Sequence, residues 1–153
     1  MYKYTTHMKI GINFIGINTP FYCNDGAGNF LLHKRSANCR DEQGNWDTGG
    51  GKLDFGISLE ENVLREIMEE YGCSGEIQGR LPAHDIFREH KGAKTHWIAV
   101  PFFVKVNPKE ARINEPHKMD EIGWFRLDAL PDPLHTGFQF TLTSFPEYFK
   151  RYQ

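Results

Sequence analysis

The chain has 153 residues, 39% hydrophobic and 14% aromatic, which is enough to bury one sizeable core and short for two, so a single domain over residues 1–153 is expected. A formal charge of −2 arises from interspersed acids and bases with no basic block, which argues against a duplex nucleic-acid partner. Three cysteines, Cys23, Cys39 and Cys73, form no C-x-x-C pair and fit reduced thiols in a cytoplasm better than a disulfide framework or a zinc site.

No internal repeat, low-complexity tract or linker interrupts the chain, and Gly and Pro are spread as turn punctuation. Residues 9–15 alternate at their start and read as a strand. The apolar segment Ile10 to Ile17 is broken by Asn13 and lacks the length of a signal or membrane segment, so a soluble protein with no membrane partner is expected. Asp25-Gly26-Ala27-Gly28-Asn29 forms a turn that joins this strand to a second over residues 29–34. Further strands are predicted over residues 83–88, 95–106 and 122–126, with a short helical turn at residues 127–130. A terminal helix begins near Thr136 or Phe138 and reaches Tyr148, with Phe138, Leu142, Phe145 and Phe149 at helical spacing and Pro146 expected to kink or split it. Strands and helices in this order imply a mixed sheet of the α/β or α+β class.

Between the second and third predicted strands lies the stretch that speaks most directly to chemistry. The glycine-rich segment Gly49-Gly50-Gly51-Lys52 runs into Ser58 and Glu61, which have the form of a capping box, and Gly72 stands where a left-handed residue closes a helix. A helix over residues 59–71 follows. At about 100° per residue, Glu66, Glu69 and Glu70 gather on one side, while Val63, Leu64, Ile67, Met68 and Tyr71 spread over the other. Three anions within one and a half turns repel one another, so the pattern calls for a positive partner. Oxygen-only ligands suit Mg²⁺, with Mn²⁺ as a substitute, and such ions commonly share their coordination with substrate phosphate oxygens.

The segment resembles the signature of the Nudix hydrolase family (MutT-like), G-x5-E-x7-R-E-U-x-E-E-x-G-U with U aliphatic: Gly51, Arg65, Glu66, Ile67, Glu69, Glu70 and Gly72 match in register, and Cys73 takes the last apolar place. Ile57 stands where the family has a glutamate that supports the loop and the arginine, and Gly49 stands where a proline commonly precedes the Gly-Gly pair. The resemblance implies an α/β/α sandwich, a mixed β-sheet between helices, and a pyrophosphohydrolase. Its implied metal ligands are Glu66, Glu69 and Glu70, completed by a loop glutamate for which Glu115 is the first choice and Glu121 the second. Glu66 and Glu69 are the implied catalytic carboxylates, with Glu66 or the loop glutamate as the base by the resemblance and Arg65 orienting the cluster. With the glutamate at 57 missing, reduced or altered activity is expected rather than none.

Lys34 and Arg35 end a strand in the direction of the glycine loop and suit a diphosphate. Together with Gly50, Gly51 and an aromatic ring for a base, Trp46, they are the candidate substrate-binding residues; Phe87, Trp97 and Trp124 are the other rings that could stack. The histidines, among them His84, His90, His96 and His117, show no ligand spacing. The expected substrate is a nucleoside triphosphate or a nucleoside diphosphate derivative. Coenzyme A, ADP-ribose and a catalytically weak nucleotide sensor are the alternatives. A homodimer is common among proteins of the resembled kind.

Overall fold

The computed structural model describes residues 7–153. In chain order the elements are β1 (Gly16–Asn24), β2 (Phe30–Arg35), β3 (Trp46–Asp47), β4 (Gly50–Lys52), α1 (Leu59–Tyr71), β5 (Gly75–Arg80), β6 (His84–His90), β7 (Ala93–Ala99), β8 (Phe102–Val106), β9 (Met119–Phe125), a 3₁₀ turn at Leu127–Ala129, α2 (Thr136–Ser144) and α3 (Pro146–Phe149).

Strand β1 organises the sheet by serving two sets of neighbours. Its first half, Gly16 to Pro20, lies antiparallel to β4 and parallel to β7, which carries β6 on its far side. Its second half, Phe21 to Asn24, lies parallel to β8 and meets β2 at Asn24. β2 in turn pairs with β9 and β3, and β8 with β5. The mixed sheet expected from the sequence is thus present.

Alternation along the strands divides the core in two. Phe21, Cys23, Leu31 and Val104 face Val63, Ile67 and Tyr71 of α1. Tyr22, Phe30, Leu32 and Phe103 face Phe138 and Phe149 of the terminal helices. One sheet with a helical layer on each face is the α/β/α arrangement. Burying a side chain such as Ile67 or Leu31 fully contributes about 1.5–3 kcal/mol, and both are fully buried.

Helix α1 begins and ends where the sequence says it should. Ser58 Oγ accepts from the Glu61 amide at 3.1 Å, Glu61 Oε2 accepts from the Ser58 amide at 2.7 Å, and Gly72 closes the helix at φ 62°. A cap of this kind contributes about 1 kcal/mol.

Several boundaries differ from the sequence-based expectation. Residues 9–15 do not form a strand: the Lys9 carbonyl accepts from the Ile12 and Asn13 amides, which makes a turn, and Ile12, Phe14 and Ile15 are exposed. The strand begins at Gly16 instead, and its polar members Asn18 and Thr19 with Pro20 disguised it. Residues 95–106 are two strands, because the chain changes neighbours from the first to the second half of β1 at Val100 and Pro101, and proline has no amide to donate. Strand β5 (Gly75–Arg80), with two glycines and three charged or amide side chains, carried too few apolar residues to be read. The terminal helix, by contrast, is split at Phe145, where Pro146 starts α3, one of the two outcomes expected of that proline.

Candidate active site

The glycine segment between β3 and β4 lies directly against the carboxylates of α1. A Cβ on Gly49 would come within 2.6 Å of both Glu70 Oε2 and the Phe21 ring, and Gly49 sits at φ 101°, a left-handed conformation that side chains disfavour. Gly51 is extended but equally constrained, since a Cβ there would overlap the carboxyl group of Glu66. Helix and loop pack too closely for a side chain at Gly49 or Gly51, while at Gly50 the backbone of Pro20 in β1 leaves no room.

Glu70 is buried, and its Oε2 finds no hydrogen-bond partner among the described residues. Burial, reinforced by the charge of Glu66, pushes its carboxyl well above the ordinary carboxylate range. Glu66 is raised as well, by partial burial first and then by Glu69. Glu69 is the most exposed of the three and pairs with Arg65 Nε at 3.7 Å.

Arg65 ties the helix to the loop. Its Nη2 donates to Asp54 Oδ2 at 2.8 Å and to Asn62 Oδ1 at 2.9 Å, and lies 3.8 Å from Glu66 Oε1. Asn62 is fully buried and passes the chain on, donating to Thr19 Oγ1 at 2.8 Å. Asp54 is held on its other side by Lys52 at 3.3 Å. Neither Asn62 nor Asp54 was identified from the sequence. An amide one turn before Glu66, on a helix otherwise divided into apolar and charged sides, was the available signal for Asn62.

Glu115 reaches this corner because its loop is clamped to the end of α1. Asn114 Nδ2 donates to the carbonyls of Met68 (3.2 Å) and Glu69 (2.9 Å), and the Asn114 amide donates to the Glu70 carbonyl at 3.0 Å. Lys118 Nζ then bonds Glu115 Oε1 at 3.1 Å. Burial alone would lower the Lys118 ammonium, but this bond and the charges of Glu115, Glu70 and Glu66 outweigh it and hold it above its usual value. Lys118 is a cation among the carboxylates that sequence reasoning did not place there. Glu121, the second choice, pairs instead with Lys34 at 3.8 Å across β2 and β9.

A cleft of about 580 Å³ opens from this corner, lined by Gly49, Gly50, Gly51, Glu70, Lys118, His33, Arg35, Asn18 and Trp97 among others. His33 Nδ1 and the Tyr71 hydroxyl are 2.6 Å apart, and the hydroxyl lies 3.2 Å from the Thr48 carbonyl. With the hydroxyl donating to that carbonyl, the imidazole donates from Nδ1. Burial keeps the His33 imidazole below its ordinary value despite the neighbouring Asp47.

Three candidate substrate-binding residues are placed differently from the expectation. Trp46 is 9% exposed and packs edge-on to Phe125 in the second core, so its ring offers no platform to the cleft. Lys34 points to the face opposite His33 and Arg35, since strand side chains alternate, and it does not line the cleft. Arg35 does line it, but its guanidinium is already bound to Asp41 (2.9 Å) and Asp47 (3.0 Å).

Beside Arg35, ligand atoms of Asp41, Glu42 and His135 converge within 4.8 Å, the one such grouping among the described residues; no three of the α1 and loop carboxylates come so close. Its groups are already engaged. Glu42 accepts from the Thr136 amide (2.8 Å), from Thr136 Oγ1 (3.0 Å) and from Arg88 (3.3 Å), and meets His135 Nε2 at 2.8 Å; His135 Nδ1 accepts from the Gly137 amide. This set caps the start of α2.

Among the described residues no helix is long and apolar enough to cross a membrane. Residues 17–145 match the NUDIX domain. The structure is similar to a MutT NUDIX hydrolase from Burkholderia pseudomallei, with a TM-score of 0.74 and 32% identity over 85% of this chain and 97% of the other. It is also similar to a MutT protein from Methanosarcina mazei Go1 (TM-score 0.62, 27% identity, 90% and 92% covered). An ADP-ribose pyrophosphatase from Streptococcus suis 89-1591 shares the fold (TM-score 0.58, 24% identity, 80% and 81% covered). With the domain match spanning most of the chain and the glycine loop, Arg65 and the α1 carboxylates assembled at one corner, the chain belongs to the NUDIX family, as an enzyme of its pyrophosphohydrolase class.

Proposed function

We propose that the chain is a Mg²⁺-dependent hydrolase, with Mn²⁺ as a substitute, that cleaves a pyrophosphate bond in a nucleoside triphosphate or a nucleoside diphosphate derivative. The observation that carries this reading is the buried Glu70 carboxyl, whose Oε2 has no partner among the described residues while Glu66 and the cation Lys118 stand close by. A buried carboxylate oxygen without a partner is costly, and a hard cation removes the cost.

The donor set fits such an ion. Glu66, Glu69, Glu70 and Glu115 offer carboxylate oxygens only, and Mg²⁺ keeps several waters, so it needs only one or two carboxylates directly. When bound, the cation neutralises charge on the phosphate oxygens and polarises phosphorus. Gly50 and Gly51 let those phosphates approach the backbone, and Arg35 sets the charge of the cleft wall through its two aspartates. Glu66, partly buried with Glu69 beside it, is the carboxylate that would take a proton from the attacking water. Arg65 holds the pair in place through Asp54 and Asn62. Free thiols at Cys23, Cys39 and Cys73 support a reducing, cytoplasmic setting.

A hydrolysis screen tests the proposal: nucleoside triphosphates, nucleoside diphosphate sugars, ADP-ribose, dinucleoside polyphosphates and coenzyme A, with and without Mg²⁺, products separated chromatographically. Glu70→Gln serves as control, with its fold checked by circular dichroism. Selective Mg²⁺-dependent turnover that the variant loses is expected. Binding without turnover of any member would overturn the reading in favour of a sensor.

A further inference from the structure

We infer that Trp97 and Asn18 form the base-recognition wall of the cleft, the indole carrying a planar nucleobase and the Asn18 carboxamide accepting a hydrogen bond from its edge. The inference rests on the nucleotide reading above and names residues for its specificity.

Of the four rings that the sequence offered for stacking, only Trp97 lines the cleft. Trp46 is in the second core, Trp124 packs against the first, and Phe87 lies on the outer face of β6 against His96. The indole of Trp97 fills space left by two glycines. A Cβ on Gly11 would overlap its Nε1, Cε2 and Cζ2 side, and one on Gly16, its partner across β1 and β7, would overlap Cε3, Cζ3 and Cδ2. Glycine backbone thus holds the indole in place, and Trp97 also lines the cleft. A rigid, half-buried ring is a preorganised stacking surface, because little freedom remains to be lost on binding.

Asn18 lies two residues beyond Gly16 on the same face of β1. Its Oδ1 is buried and has no hydrogen-bond partner among the described residues. A buried amide oxygen left unpaired is the feature expected of a group whose partner arrives with a ligand. Every common nucleobase presents an N–H donor on its edge, which supplies that partner.

Spacing links this wall to the phosphate corner. β4 carries Gly51, opposite Thr19, on one side of β1, and β7 carries Trp97, opposite Gly16, on the other, so their backbones are two strand spacings across and three residues along the sheet, about 14 Å apart. The indole covers part of that distance, and a nucleoside diphosphate with its base on the ring covers the rest to the glycine loop.

The test is intrinsic fluorescence with Mg²⁺ present, titrating ADP, GDP, CDP and UDP against base-free pyrophosphate. Stacking on an indole quenches it, so at least one nucleotide is expected to quench the native protein while pyrophosphate does not. Trp97→Leu should weaken binding of that nucleotide, followed calorimetrically, by about tenfold or more; Trp97→Phe, which keeps a ring, should restore most of it. Asn18→Ala should weaken the preferred nucleotide more than the others and leave pyrophosphate affinity unchanged. If Trp97→Leu does not fold, Trp97→Phe and Asn18→Ala decide the matter alone. Nucleotide affinity equal to that of the native protein in Asn18→Ala and in whichever Trp97 variant folds overturns the inference, as does equal quenching by pyrophosphate. Turnover with unchanged KM in these variants would remove the base wall and leave the hydrolase standing. Base-dependent quenching without any turnover would do the reverse.

Discussion

Gly49 and Glu70 are in contact across the boundary between loop and helix: the carboxylate Oε2 occupies the place where a side chain at 49 would begin, 2.6 Å from an ideal Cβ. The residue that departs from the proline common at this place in the resembled signature is therefore set by its own backbone and neighbours. Proline holds φ near −65°, whereas Gly49 is at 101°.

Gly49→Ala is accordingly expected to destabilise the protein, by about 1–2 kcal/mol for the left-handed backbone alone, with displacement of Glu70 adding to it. Gly49→Pro should be worse. Urea unfolding midpoints measure both, and a midpoint for Gly49→Pro at or above that of the native protein would contradict the geometry.

Arg65 bonds Asp54 at 2.8 Å, while Ile57 provides no carboxylate. Asp54→Ala should therefore lower kcat about tenfold or more through loss of orientation, with little effect on KM for nucleotide. Adding Ile57→Glu to that variant should restore part of the loss, whereas Ile57→Glu alone should change little. Steady-state kinetics of the three variants checks this, and an Asp54→Ala enzyme with native kcat would remove Asp54 from the positioning role.

Lys118 supplies positive charge next to Glu115, with Glu66 and Glu70 close enough to raise its basicity. Lys118→Met should lower the melting temperature in metal-free buffer, and the deficit should narrow as Mg²⁺ is added, because the ammonium no longer competes for the same carboxylates and the variant binds the ion more tightly. Thermal melts across a Mg²⁺ series read this directly. A deficit that is constant with Mg²⁺ would mean that Lys118 does not compete with the ion for these carboxylates.

His33 is buried against Tyr71 and held below its ordinary value of 6.5. At neutral pH it is uncharged in both folded and unfolded chains, so it costs nothing. Below about pH 6.5 the unfolded chain binds the proton while the folded chain resists it, so stability falls with pH until the folded imidazole also titrates. His33→Asn, which keeps a polar atom toward Tyr71, should flatten this part of the stability profile. Urea midpoints between pH 7.5 and 5, parallel for both proteins, would exclude the effect.

Much of the corner was legible along the chain because its parts are adjacent in sequence. The capping box, the carboxylate side of α1 and Gly72 depend on contacts within a turn or two, and local rules reach that far. The strand starting at Gly16 was obscured for the opposite reason. Asn18, Thr19 and Pro20 interrupt the apolar pattern, and their place in the sheet depends on partners 30 to 34 residues away in β4 and 81 residues away in β7.

The sequence by itself determined the family resemblance, the boundaries of α1 and the pairing of a glycine loop with three glutamates, all of which follow from spacing along one segment. Only the tertiary structure decided which groups face that segment. Sheet alternation sent Lys34 to the other face from His33 and Arg35, the second core claimed Trp46, and two glycines gave the cleft Trp97 in its place. Asp41 and Asp47 took up Arg35, and a loop clamped by Asn114 brought Glu115 and Lys118 to the carboxylates. Such placements depend on long-range register and on competition between charged neighbours, and neither is written in the spacing of a single stretch of chain.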